Sequence, residues 1–137
     1  MVKIYTDGAC SGNPGRGGWA AIIIDGEKIE KISGASENTT NNRMELIAVI
    51  SALKYVEEQN IELFTDSKYT KDGIEKWILN WKNNGWKTAN KQDVKNIDLW
   101  KNLDELNQIK NVQWNWVKGH ADNEYNNMAD ELARSKI

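Results

Sequence analysis

The pattern of hydrophobic and polar positions predicts a sheet whose first three strands are joined by hairpins. Residues 2–6 have the composition of a strand, residues 19–24 form an apolar run of strand length, and residues 28–33 alternate apolar and charged side chains like a half-exposed strand. The dipeptide Asp25-Gly26, between the second and third runs, is a strong hairpin signal. The first part of the chain should therefore form antiparallel sheet.

The rest of the chain alternates helices with strands. Residues 44–56 are apolar on almost every side and predict a buried helix, for which Thr40, Asn41 and Asn42 are candidate N-caps. The remaining predicted elements are a strand at 61–65, helices around 74–81 and at 98–109, a strand at 112–117 and a helix at 125–135. Strands that follow helices should run parallel to the first strand, by right-handed crossovers. The order β-β-β-α-β-α-α-β-α predicts an α/β domain.

Length and composition indicate one intracellular domain. The chain has 137 residues, the size of a single domain, so we expect residues 1–137 to form one unit. Cys10 is the only cysteine, which excludes an intrachain disulfide and suits a reducing cytoplasm. No apolar run approaches the roughly 20 residues that span a bilayer, and no signal segment opens the chain. We therefore expect a cytoplasmic protein with no membrane partner.

Charge is unevenly distributed along the chain. The net charge of −2 gives no global sign of nucleic-acid binding. Residues 68–95 nevertheless carry seven lysines and three acids, an excess of +4, which leaves −6 on the rest. Within this segment three tryptophans alternate with three lysines, namely Trp77, Trp81, Trp86 and Lys76, Lys82, Lys87. The tryptophans could simply pack a helical hairpin, but a basic, aromatic face also suits phosphate contact and base stacking.

Two aspartates follow predicted parallel strands. Asp7 and Asp66 each lie in a Thr-Asp-small tripeptide. In sheets with crossover helices, functional sites lie beyond the carboxyl ends of parallel strands. If the two strands are neighbours, about 5 Å apart, both carboxylates can share a cation. Taken alone, Asp7 could belong to a turn and Asp66 could cap the next helix, but the repeated tripeptide favours a functional site.

Three further side chains are candidates for the same site. Glu45 interrupts an apolar helix, where an unpaired charge is costly, although Asn42 and Glu45 also match a capping box. Asp130 precedes Arg134 by four residues, so a surface ion pair is the simplest explanation. His120 is the only histidine and is either a solvated loop residue or a proton carrier. Four clustered carboxylates would repel one another without cations, which predicts a divalent-metal enzyme.

The glycine-rich segment at residues 11–18 predicts a flexible loop between the first two strands. It does not match a phosphate-binding loop, because it lacks a Gly-Lys-Ser/Thr ending and leads into a strand. No helix N-terminus would then face a phosphate. The segment is better suited to pressing its backbone against a partner.

Together these motifs resemble those of one family. In chain order they are TDGAC at 6–10, GNPG at 12–15, TNNRMEL at 40–46, TDS at 65–67, WVKGH at 116–120 and DELAR at 130–134. Their order and spacing resemble a bacterial type 1 ribonuclease H over nearly the whole chain. WK at 81–82 and GWKT at 85–88 resemble the protruding basic handle of that family.

The resemblance implies an α/β ribonuclease H-like fold. Its five-stranded mixed sheet would have the strand order 3-2-1-4-5, with helices on both faces and the handle. It also implies hydrolysis of the RNA strand of RNA–DNA hybrids by a two-metal-ion mechanism, with 5′-phosphate and 3′-hydroxyl ends. Two Mg²⁺ ions, replaceable by Mn²⁺, would be bound by Asp7, Glu45, Asp66 and Asp130. His120 would assist proton transfer or product departure.

The resemblance further implies contacts to the hybrid, which the protein would bind as a monomer. They would come from Asn13, Asn41 and Asn42 in the minor groove, Thr40 and Asn96 at a phosphate pocket on the DNA strand, Tyr69, Trp77 and Trp81 along that strand, and Lys82, Trp86 and Lys87 in the handle.

The chain departs from the family pattern in two places. Asn83 and Asn84 stand in the handle where lysine or arginine can occur, and Lys68 stands where glutamine or methionine is common. Because a fold alone does not fix a function, two alternatives stay open at this point. One is another nuclease or recombinase of the same fold, and the other is a hybrid-binding module without catalysis.

Overall fold

A computed structural model describes residues 1–118 and 123–137 and contains one five-stranded sheet in the order β3-β2-β1-β4-β5. The strands are β1 Val2–Gly12, β2 Gly15–Asp25, β3 Lys28–Thr39, β4 Asn60–Thr65 and β5 Asn111–Trp116. The β1, β2 and β3 strands pair antiparallel, whereas β4 runs parallel to β1 and to β5. The mixed sheet and its strand order are confirmed.

Helices connect the later strands. They are α1 Asn41–Tyr55, α2 Lys68–Asp72, α3 Ile78–Asn83, α4 Ile97–Ile109 and α5 Glu124–Ser135. A π-helical turn, Gly73–Trp77, joins α2 directly to α3. The helix predicted around residues 74–81 is therefore the later part of one helical segment that begins at Lys68.

The predicted loop at residues 11–18 is wrong, because most of this segment is strand. Pairing between β1 and β2 continues to Gly12 and Gly15, so only two residues form the turn. Gly17 shows why this strand contains glycine. A Cβ at residue 17 would lie 2.5 Å from the Thr39 side chain and 2.8 Å from that of Met44, so a larger residue would not fit. The glycines thus let β2 pack closely against its neighbours instead of breaking it.

Alternate residues of the central strands face two separate apolar layers. Ile4 of β1 belongs to the larger core, which includes residues of α1 and α4. The next residue, Tyr5, packs on the opposite face with Ile22 and with Ala129 of α5. This alternation confirms helices on both faces of the sheet. Within the described residues, no helix is both long and apolar enough to cross a membrane.

Candidate metal centre

Asp7 and Asp66 lie side by side at the point where two parallel strands diverge. The β1–β4 ladder ends at the pair Thr6 and Thr65, so both aspartates follow it directly. Asp7 is not in a turn, because it continues β1 opposite Ala20. A turn therefore does not explain Asp7, and a helix cap does not explain Asp66.

The helix that follows Asp66 has a different cap. Ser67 is the N-cap of α2, and its Oγ accepts a hydrogen bond of 3.1 Å from the Thr70 amide. The Asp66 carboxylate therefore has no capping role in α2. It lines an open cavity of about 510 Å³ together with Asp7.

Glu45 reaches the same cavity from the first turns of α1. The N-cap of α1 is Thr40, whose Oγ1 accepts from the Arg43 amide at 3.2 Å, so a capping box between Asn42 and Glu45 is ruled out. Glu45 is only 6% exposed, and no described protein group hydrogen-bonds to its Oε1. A buried, unsatisfied carboxylate oxygen is costly, so its retention indicates a ligand.

Gly8 allows α1 to approach β1 closely enough for this arrangement. A Cβ on Gly8 would lie 2.4 Å from the backbone nitrogen of Glu45, a distance that no side chain could tolerate. The absence of a side chain at residue 8 therefore places Glu45 beside Asp7. This is the local reason why the TDG tripeptide ends in glycine.

The three carboxylates are within ligand distance of one another. One oxygen each from Asp7, Glu45 and Asp66 can be chosen so that all lie within 4.8 Å. Burial, followed by the nearby Asp66 and Asp130, raises the pKa of Asp7 to about 9. Burial, followed by the Asp7 charge, raises the pKa of Glu45 well above its usual value, and burial also raises that of Asp66. The group cannot carry three negative charges at neutral pH without a cation.

Asp130 lies at the edge of the cluster. It lines the same cavity and raises the pKa of Asp7, so it is close to the other acids. Its carboxylate also pairs with Arg134 at 2.9 Å, which is the surface ion pair that the sequence predicted. The two interpretations of Asp130 are thus compatible, because an i,i+4 pair leaves other carboxylate lone pairs available.

The donor set fits a hard divalent cation. All four acids offer carboxylate oxygens, which Mg²⁺ prefers, and the cavity is open to water that could complete a coordination shell. The unsatisfied Glu45 oxygen points to the same conclusion. His120, the expected proton carrier, lies outside the described residues.

Three asparagines surround the entrance to this site. Asn41 and Asn42 line the cavity beside Glu45. Asn13 lies in the β1–β2 turn, and its side-chain Oδ1 accepts a 3.2 Å hydrogen bond from the backbone N–H of Asn41. The turn is thereby held against the start of α1. The three side chains expected to contact a minor groove are contiguous in space.

The predicted aromatic residues form one continuous cluster. Ring centroids are 5.7 Å apart for Tyr69 and Trp77, 6.0 Å for Trp77 and Trp81, and 6.5 Å for Trp81 and Trp86. Trp100, fully buried, packs against both Tyr69 and Trp81. Trp77 is 37% exposed, so this cluster is both a core element and a surface.

The two handle lysines are paired with acids in this structure. The Lys82 ammonium lies 3.3 Å from the Asp104 carboxylate. The Lys87 and Asp93 side chains form an ion pair, and the backbones of these two residues form an isolated antiparallel β-bridge. The exposed Lys87–Asp93 pair should contribute little to stability, typically about 0–1 kcal/mol, so a phosphate could replace Asp93 at small cost. Asp104 is mostly buried, so that range for surface pairs does not apply to its pair with Lys82.

Arg43 connects several of the predicted substrate residues and was not identified from the sequence. Its guanidinium donates to Asn96 at 3.2 Å and to both oxygens of Asp98 at 3.1 and 2.9 Å. Asn96 in turn donates to the Tyr69 hydroxyl at 3.1 Å. Arg43 lies 53 residues from Asn96, so only the fold reveals this network.

Comparison with known proteins identifies the family. The family model described as RNase H matches residues 1–137. A ribonuclease H of Acetivibrio thermocellus is 54% identical, covering 99% of this chain and 94% of the relative. One of Mesorhizobium japonicum is 60% identical, covering 98% and 76%.

Solved structures agree with this assignment. LC9-RNase H1, a type 1 RNase H with the type 2 active-site motif, has a TM-score of 0.85 at 30% identity, covering 98% of this chain and 70% of the other. LC11-RNase H1 in complex with an RNA/DNA hybrid shares the fold, with a TM-score of 0.71 at 23% identity over 100% and 96% of the chains. This chain belongs to the ribonuclease H family.

Proposed function

We propose that this chain hydrolyses the RNA strand of RNA–DNA hybrids endonucleolytically, leaving 5′-phosphate and 3′-hydroxyl ends. The observation that carries the proposal is the group of three carboxylates within 4.8 Å, two of them buried and one half-buried, which line an open cavity. Membership of the ribonuclease H family supports the same reaction. Family membership supports the reaction class, and the carboxylate-lined cavity supports the proposed location of the reaction.

Asp7, Glu45, Asp66 and Asp130 are proposed to bind two Mg²⁺ ions, for which Mn²⁺ can substitute. When bound, a pair of such ions activates a water molecule and offsets charge on the leaving 3′ oxygen. The raised pKa values of Asp7 and Glu45 support this role, because a cation is needed for these groups to ionise together.

Selection of RNA is assigned to the amide side chains at the cavity entrance. Asn13, Asn41 and Asn42 can donate to and accept from a 2′-hydroxyl, which only the RNA strand offers. The hydrogen bond between Asn13 and the Asn41 amide holds them in one group. Asn41 and Asn42 line the same cavity as Glu45, so they would contact the sugar next to the bond that is cut.

Selection of a DNA partner strand is assigned to the aromatic cluster and the phosphate pocket. Tyr69, Trp77 and Trp81 would line the DNA path closely, leaving little room for 2′-hydroxyls. Thr40 and Asn96 would bind a DNA phosphate. Lys82, Lys87 and Trp86 of the handle would extend these contacts along the duplex.

His120 is proposed to move a proton during the reaction or to help the product leave. It is the only histidine in the chain and follows the last strand closely. A group of this kind typically contributes about 10²–10⁴-fold to a rate. Its loss should therefore reduce turnover without removing metal binding.

We propose that residues 1–137 form a single catalytic domain that acts as a monomer in the cytoplasm. The continuous five-stranded sheet and the match of the family model to the full chain support one domain. The single cysteine suits a reducing compartment.

A cleavage assay with three substrates tests the reaction. Labelled RNA–DNA hybrid, double-stranded DNA and double-stranded RNA are each incubated with Mg²⁺ or with EDTA. We expect cleavage of the hybrid's RNA strand alone, and only with Mg²⁺. Equal cleavage of double-stranded DNA would indicate another nuclease of this fold, and hybrid binding without cleavage would indicate a non-catalytic module.

A further inference from the structure

Lys68 is distinctive among the residues around the catalytic cavity. The cavity lining includes four carboxylates, those of Asp7, Glu45, Asp66 and Asp130, and within the described part of the chain Lys68 is its sole cation. The side chain is exposed, directly after the Asp66-Ser67 pair. A nucleic-acid strand adds further negative charge to this cavity, so a cation at its edge would matter for binding.

The position of Lys68 is not explained by helix stability. It is the first residue of α2, whose first turn contains no acid. The positive end of the helix dipole lies there, and a lysine at that end is unfavourable for the helix. A neutral residue would serve the helix better.

Trp116 holds the Lys68 ammonium at a defined place. The Nζ atom lies 4.8 Å from the centre of the Trp116 ring, within the range of a cation–π interaction. Trp116 ends β5, and its Nε1 donates to the Asp66 carbonyl oxygen at 3.2 Å. The ring is therefore fixed to the same backbone that carries a proposed metal ligand.

Trp116 also leaves much of its surface in solvent. It is 40% exposed, although large aromatic side chains are usually more buried than this. A ring that is anchored by its N–H, partly exposed and in contact with an ammonium can support a charged contact at the surface. Together, the two side chains form what we call the Lys68–Trp116 pair.

We propose that the Lys68–Trp116 pair binds a backbone phosphate of the RNA strand beside the bond that is cut. The proposal deepens the proposed function and rests on it for the identity of the strand. Lysine acts here as a point charge for phosphate. Hybrid binding by this chain should consequently depend on salt more strongly because of Lys68.

The test measures binding of a short, fluorescently labelled RNA–DNA hybrid in EDTA at several salt concentrations. Losing one phosphate contact lowers the slope of log affinity against log salt by about 0.9. For Lys68→Gln, the affinity deficit relative to wild type should therefore shrink by about 3.5-fold between 50 and 200 mM salt. Lys68→Arg should keep the wild-type slope, because it keeps the charge.

Two further variants separate a phosphate contact from a structural effect. Lys71→Gln removes a lysine of the same helix that is paired with Glu75, and it should leave the slope unchanged. In a Trp116→Leu background, Lys68→Gln should lower the salt slope by less than it does in the wild type, because the Lys68 ammonium is no longer held by the Trp116 ring. Urea unfolding should show no loss of stability for Lys68→Gln.

A wild-type slope in Lys68→Gln would overturn the proposal, as would a slope that falls equally in Lys71→Gln. Because the readout is binding in EDTA, it does not depend on cleavage. If wild type fails to cut the hybrid but Lys68→Gln lowers the slope, the proposed function fails and the phosphate contact remains.

Discussion

Asp7 is the residue at which the proposed metal site should lower the stability of the folded protein. Its pKa of about 9 in the folded protein compares with an ordinary value of 3.8. Well below pH 3.8 the group is protonated in both the folded and the unfolded chain, so it costs nothing. As the pH rises towards 9, the unfolded chain ionises while the folded chain keeps the proton, and the folded state loses stability.

Asp7→Asn should therefore stabilise the metal-free protein. At pH 7 in EDTA we expect a gain in unfolding free energy of at least about 1 kcal/mol, the equivalent of about one pKa unit. The gain should shrink towards pH 3, where the wild-type group is mostly protonated in both states, and in millimolar Mg²⁺, which should bind the wild type better. Urea unfolding at both pH values provides the measurement. A less stable variant in EDTA would show that the carboxylates are not crowded.

Single residues were the part of the site that the sequence predicted best. Asp7 and Asp66 could be inferred because each follows a strand in the same tripeptide, and strand ends meet at one edge of a sheet. Glu45 was ambiguous, because its spacing from Asn42 suits a capping box. The ambiguity ends only with the structure, where Thr40 caps the helix and leaves Glu45 buried.

Among the elements, the helical segment from α2 to α3 depends on one close approach. A Cβ on Gly73 would lie 2.0 Å from the Trp100 ring, which is itself fully buried. Gly73→Ala should destabilise the protein by about 1–3 kcal/mol through overpacking. Glu75→Ala, in the same π-helical turn, should change stability by no more than about 0.5 kcal/mol. Urea unfolding compares the two, and equal effects would contradict the packing argument.

The handle is the element expected to add affinity. Lys82→Ala combined with Lys87→Ala should lower the salt slope of hybrid binding by roughly 1.8, because two phosphate contacts are lost. Turnover at saturating hybrid should change little, since neither lysine lines the catalytic cavity. A matched control removes Lys28 and Lys54, which lie in β3 and near the end of α1. An unchanged slope in the handle variant would show that these lysines do not contact phosphate.

Element boundaries were predicted less well than element order. The glycines of residues 11–18 indicated a loop, yet β1 and β2 continue through them to a two-residue turn. Glycine disfavours a strand locally, but cross-strand pairing and close packing against Thr39 and Met44 outweigh that preference. Information of this kind lies in the tertiary structure and not in the local sequence.

In the whole molecule, the sheet brings together acids that are far apart in sequence. The order of the predicted elements indicated a mixed sheet, and the family resemblance carried by the motifs implied its strand order; the structure and the family model confirm both. Element order and motifs could not predict the chain from Arg43 through Asn96 to Tyr69, because those contacts join α1, the start of α4 and α2. Hydrogen-bonded networks between distant elements have no periodic signature in a sequence.

The central claim is that the carboxylate cluster is the metal-dependent catalytic centre of a ribonuclease H. The most direct test compares wild type, Asp66→Asn and the control Asp72→Asn for cleavage of the RNA strand of a labelled hybrid in Mg²⁺. Asp66→Asn keeps the shape of a cavity-lining side chain but loses its charge, whereas Asp72 pairs with Lys76 away from the cavity. We expect Asp66→Asn to remain folded with turnover almost abolished, and Asp72→Asn to match wild type. If Asp66→Asn kept on the order of a tenth of wild-type turnover, well above the almost complete loss expected for a missing metal ligand, the account would be contradicted.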